Sequence, residues 1–106
     1  MLAHVLAVVS LLAFAQADIP KANEYTSSDC SGTMNYEHHA SNLVDVTMDD
    51  TSHSVYLAGG DWSGFSEKTS DGGSCYGDYI RLYGACNGLD QAVGSSNRIK
   101  CVRKSS

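Results

Sequence analysis

Four cysteines, Cys30, Cys75, Cys86 and Cys101, constrain this chain of 106 residues more than any other feature. An even number of cysteines in a short exported chain reads as two disulfides. The competing use, a structural zinc site, needs pairs at close spacing, and no two of these cysteines sit that way. Export is read from the start of the chain. An apolar run from Val5 to Phe14 ends in Ala15-Gln16-Ala17, a small-x-small cleavage pattern, so residues 1–17 are expected to be a secretory signal peptide and the mature protein to begin at Asp18. The run is far below the roughly 20 residues of a spanning helix. What remains, roughly 90 residues, is a single domain at the small end of what one core stabilises, which is where disulfides matter most. A secreted, extracellular location is expected.

The clearest strand signals lie in the stretch Asn42 to Gly60. Val44, Val46 and Met48 alternate with Asp45 and Thr47, and Val55 and Leu57 alternate with Ser54, Tyr56 and Ala58. The turn-forming Asp49-Asp50-Thr51-Ser52 separates the two arms, so a core hairpin is expected here. Residues 18–28 contain the only proline, Pro20, and show no alternation, which reads as a mobile lead-in to a domain at 29–106. Thr33 to His38 reads as a first strand, and Phe65 as the start of another short one. Thr69 to Ser74 is a loop by composition. Tyr79 to Tyr83 is a strand with Ile80 and Leu82 on one face and Tyr79, Arg81 and Tyr83 on the other. Gly84 to Gly94 is too short and glycine-bounded for more than one helical turn, and the last strand is placed at Arg98 to Val102. The expected fold class is all-β, a small antiparallel sandwich or barrel stapled by two disulfides.

Four cysteines allow three connectivities. The strand between Cys75 and Cys86 holds those two apart, and a final strand antiparallel to it would bring Cys101 to the Cys75 end. Cys75 with Cys101 and Cys30 with Cys86 is therefore the expected pairing.

Asp29-Cys-Ser-Gly32, the Asn42 to Gly60 stretch and the Arg98-Ile-Lys-Cys-Val-Arg103 ending together resemble small secreted cysteine-rich proteins of filamentous fungi. That resemblance covers the mature chain and implies an effector or elicitor acting at a host surface, or alternatively an antimicrobial toxin. It brings no catalytic motif. Leu89 to Cys101 is also similar to the closing segment of the βγ-crystallin-like Greek keys of microbial killer toxins. The calcium signature of that fold is approached by Asp49-Asp50-Thr51-Ser52-His53-Ser54, but His53 stands where a hydroxyl residue is expected. No metal or cofactor is assigned.

Charge and motif content narrow the function further. A net charge of -5 argues against nucleic acid or an anionic membrane as partner. It is unevenly spread, with Arg98, Lys100, Arg103 and Lys104 at one end of the chain and Asp45, Asp49, Asp50 and Asp61 in its middle. Glu37, His38, His39 and His53 offer the acid and base of a small ribonuclease, yet outside the C-terminal end Arg81 is the only arginine to hold a phosphate. Gly-x-Ser-x-Gly, His-Glu-x-x-His and phosphate-loop motifs are absent, so a non-enzymatic protein is expected. The remaining handle is aromatic. Trp62 sits in Gly59-Gly-Asp-Trp-Ser-Gly64, a setting that suggests exposure, and with Asp61, Asp49 and Asp50 it forms the candidate binding surface for an extracellular protein or glycan. The competing reading folds Trp62 back onto the core. A monomer is expected.

Overall fold

The computed structural model describes residues 19–105; the expected signal peptide at 1–17 and the start at Asp18 lie outside them. Eight strands form: β1 (Lys21–Tyr25), β2 (Met34–Tyr36), β3 (Asp45–Thr47), β4 (Ser54–Ala58), β5 (Trp62–Lys68), β6 (Cys75–Leu82), β7 (Cys86–Gly88) and β8 (Cys101–Lys104). They build two four-stranded antiparallel sheets, ordered β2-β1-β4-β7 and β3-β8-β5-β6, with no helix among the described residues. The sheets face each other as a sandwich. Ala22, Val55 and Leu57 from the first sheet meet Val46, Trp62, Leu82 and Val102 from the second. Met48, Leu89, Val93 and Ile99 fill the space between from the connecting segments. The all-β sandwich with two disulfides is as expected.

The hairpin expected over Asn42 to Gly60 does not form. β3 pairs with β8 (Val46 opposite Val102), whereas β4 lies between β1 and β7 (Val55 opposite Glu24 and Asn87). Each arm alternates as read, with Val46, Met48, Val55 and Leu57 buried, but Val44 is exposed. Alternation reports which face is buried and is silent on the partner strand. Residues 49–53 therefore carry the chain from one sheet to the other instead of turning it back.

The lead-in is likewise a correction. Lys21–Tyr25 pairs on both sides, with β2 and β4, and Ala22 is fully buried. The domain begins well before residue 29. The last strand starts at Cys101; Ile99 is in the core, but its N–H goes to Leu89 O in a loop contact.

Cys75–Cys101 and Cys30–Cys86 are the disulfides, the expected pairing reached by a different geometry. β5 lies between β6 and β8 and is antiparallel to both, so β6 and β8 run parallel to each other and each begins at its cysteine. Where β5 bulges between Phe65 and Glu67, Gly77 of β6 takes a φ of +91°, open to glycine at little cost. Loop closure over 56 and 26 residues gives the two bridges about 4 and about 3.5 kcal/mol of stabilisation on the chain-entropy account.

Candidate functional site

Trp62 is the first correction to the candidate surface. It opens β5, is 2 % exposed, and donates its indole N–H to Ala58 O at 3.1 Å. The glycines before it serve the crossing from β4 to β5. Gly64 follows because a β-carbon there would stand 2.9 Å from Ile99, so the glycine setting reflects core packing. Nor do the acidic residues converge. Asp61 precedes β5 and pairs with Arg81 at 3.0 Å, while Asp50 pairs at 3.4 Å with Lys68 at the other end of that strand. At 3.3 Å per residue the two ends of β5 are roughly 20 Å apart.

Asp49 belongs to a different feature, a cavity of about 280 Å³ lined by Glu24, Tyr36, His38, Thr47, Asp49, Asp71 and Gly72. At its floor is Glu24, 1 % exposed. One carboxylate oxygen accepts from the Asp49 N–H and the Ser52 hydroxyl, both at 2.7 Å, and the other lies 2.6 Å from His38 Nε2. Arg98 holds the same loop by its acceptors, donating to Asp49 O and Ser52 O at 2.7 Å. The carboxylate and the guanidinium thus satisfy opposite polarities of one sheet-to-sheet crossing, which makes Glu24 a buried hub of the fold.

Of the four residues considered for acid and base chemistry, Glu37 and His39 pair with each other, while His38 and His53 go to separate carboxylates. His38 meets Glu24, His39 meets Glu37 at 3.0 Å, and His53 meets Asp90 at 2.6 Å. Arg81, the cation such chemistry would need, is engaged with Asp61 on the other sheet. The hydrogen bond from His53 holds the Asp90 carboxyl below its ordinary range. Thr51, donating both hydroxyl and N–H to the Asp49 carboxylate, does the same to Asp49. Among the described residues no three His, Cys, Asp or Glu side chains gather to hold a metal.

Exposed aromatic surface is concentrated instead on β6 and its end. Tyr79 and Tyr83 are 68 % and 77 % exposed. Tyr79 stacks on Phe65 with ring centres 5.4 Å apart, and the Arg103 guanidinium lies 4.7 Å from the same Phe65 ring. Arg103 also makes a two-pronged contact with Asp45, at 2.6 and 3.0 Å, which lowers the Asp45 pKa and raises that of Arg103. Arg81 lies 5.8 Å from the Tyr83 ring centre while bound to Asp61. Tyr79 and Tyr83 with Arg81 and Asp61 therefore form an exposed aromatic pair with a charged rim, and of the candidate surface residues only Asp61 belongs to it. The alternation of Tyr79, Arg81 and Tyr83 against Ile80 and Leu82 is the sequence signal for this exposed face.

The fold and this face define a disulfide-stapled β-sandwich that presents tyrosines on a strand. Comparison with known protein families, with curated proteins and with solved structures finds no match.

Proposed function

We propose that this is a secreted, non-enzymatic binding protein of effector or elicitor type, as filamentous fungi export, which engages a protein or glycan outside the secreting cell through Tyr79, Tyr83, Arg81 and Asp61. The observation that carries the reading is the exposure of two tyrosines on a strand whose inner face, through Leu82, is anchored in the core. Tyrosine supplies a large amphipathic contact at low entropic cost, and a position beside Arg81 and Asp61 adds directional hydrogen bonding. Two disulfides fit an oxidising, extracellular setting. Among the described residues no helix is long and apolar enough to cross a membrane.

The test compares oxidised wild-type protein with a Tyr79→Ala/Tyr83→Ala double variant as bait against host extracellular fluid and insoluble host cell-wall polysaccharide. Tyr83→Ala should stay within about 0.5 kcal/mol, whereas Tyr79→Ala also loses its stack on Phe65, about 1 kcal/mol, so the double variant should remain folded with a slightly lower midpoint. The wild type should retain a partner that the double variant loses. Equal retention by both proteins would rule this surface out.

A further inference from the structure

Of the four strands at sheet edges, β2, β3 and β7 have three residues each, while β6 has eight. Short edges are one of the ways a sheet avoids pairing with foreign strands. β6 does not use it. Which of its backbone groups are open follows from hydrogen-bond parity. Ser105 N–H donates to Asp61 O, and the register continues through Ser63 opposite Arg103 and Phe65 opposite Cys101. Odd-numbered residues of β5 thus direct their backbone groups to β8, and Trp62 and Gly64 direct theirs to Leu82 and Ile80. On β6 it is Tyr79 and Arg81 whose N–H and C=O point away from the sheet.

The open window is bounded. On one side Asp78 N–H turns to Ser66 Oγ at the bulge and the Asp78 side chain stands against Gly94. On the other the chain leaves at Tyr83 for β7. Within the window Ile80 is only partly buried, although it packs on the core.

We propose that the β6 edge pairs antiparallel with β6 of a second copy, with the two-fold axis at Ile80. This goes beyond the function proposed above and differs from the monomer expected from the sequence. The register follows from complementarity. With the axis at Ile80, Tyr79 faces Arg81 of the second copy twice over, each pair exchanging two backbone hydrogen bonds and setting a guanidinium beside an aromatic ring. Ile80 meets Ile80 of the second copy in the close, non-hydrogen-bonded position, covering its remaining apolar surface. A slip of one residue on one chain sets outward-facing groups against inward-facing ones, and centring on Arg81 opposes two like charges. The two sheets then join into one of eight strands that carries four exposed tyrosines on a single face.

The experiment is sedimentation equilibrium of the oxidised protein at up to about 1 mM, which populates even a millimolar complex, with amide hydrogen exchange read at both ends of the concentration range. Dimerisation should rise with concentration, and exchange at Tyr79 and Arg81 should slow at least about tenfold, while Ile80 and Leu82, already bonded to β5, change little. Arg81→Pro removes an outward N–H that β5 does not use, a change edge strands tolerate. It should leave a folded monomer. The exchange measurement needs no variant and decides the matter if the proline chain fails to fold. A wild type that stays monomeric throughout, or a folded Arg81→Pro protein that still dimerises, overturns the proposal. So does protection of these two amides that appears only after host extracellular fluid is added, since the edge would then serve a foreign strand. The Tyr79→Ala/Tyr83→Ala variant keeps the backbone edge, so failure of the binding face and failure of the dimer are separable.

Discussion

Replacing Glu24 by alanine should be among the most damaging single changes in the molecule. The carboxylate lies at 2.6–2.7 Å from the Asp49 N–H, the Ser52 hydroxyl and the His38 imidazole, three groups from two separate segments. Hydrogen bonds to a charged group contribute about 1.5–3 kcal/mol each, but the cavity beside Glu24 gives water some access to the abandoned donors. A net loss of about 3–5 kcal/mol is expected, in the range found when one partner of a buried pair is removed. For a domain of this size that lowers the melting temperature by roughly 15–30 °C. Glu24→Gln retains an oxygen for Asp49 and Ser52 and alters only the His38 contact, so it should cost about 1–2 kcal/mol. Urea unfolding followed by Trp62 fluorescence, with the disulfides intact, measures both. A Glu24→Ala loss below about 1 kcal/mol would refute the assignment of the carboxylate as the hub of the crossing and leave Arg98 holding residues 49–52 alone.

Trp62→Ala, which lacks the only tryptophan and is therefore followed by far-ultraviolet circular dichroism in urea, should cost about 3–5 kcal/mol, the usual result of emptying a large buried site, and a change under about 1 kcal/mol would return the tryptophan to the surface. Acid stability should follow Asp45, whose carboxyl is held below its ordinary range chiefly by the Arg103 hydrogen bond, against the opposing effect of burial. A depressed native pKa stabilises the fold above the ordinary value and loses that contribution as pH falls through the native one, so wild-type stability should decline below about pH 4. Asp45→Asn should therefore be less stable than wild type at pH 7, with the gap narrowing toward pH 3. A gap that is constant across that range in urea titrations would contradict the linkage.

What could be read from the sequence was local. The second half of β6 was legible because Ile80 and Leu82 separate from Tyr79, Arg81 and Tyr83, whereas Cys75–Asp78, where three consecutive residues are exposed, carries no alternation and was not. The loop at Thr69 to Ser74 was legible for a similar reason, its closing bond from Thr69 N–H to Ser74 O spanning only five residues. β1 was not. Its buried Glu24 looks like a solvent-facing charge until its partners are known, and they stand 14, 25 and 28 residues away. The misassigned hairpin has the same origin, since β3 and β4 have correct faces but their partners, β8 on one side and β1 and β7 on the other, are set by long-range packing. For the proposed binding face, the alternation separates Tyr79, Arg81 and Tyr83 from the core, but Asp61 joins them only through the pairing of β5 with β6.

The first described strand lies in the middle of one sheet and the last in the middle of the other, with β1 between β2 and β4 and β8 between β3 and β5. A chain arranged in this way cannot fold in the order in which it is made. Until Cys101–Lys104 emerges, β3 has no ladder to join and Cys75 has no sulfur to meet. The Cys30–Cys86 bridge can close earlier, and it would do so on a half-built protein whose second sheet is open at its centre. Long-range strand pairing of this kind is slow and leaves edges exposed to aggregation while it waits.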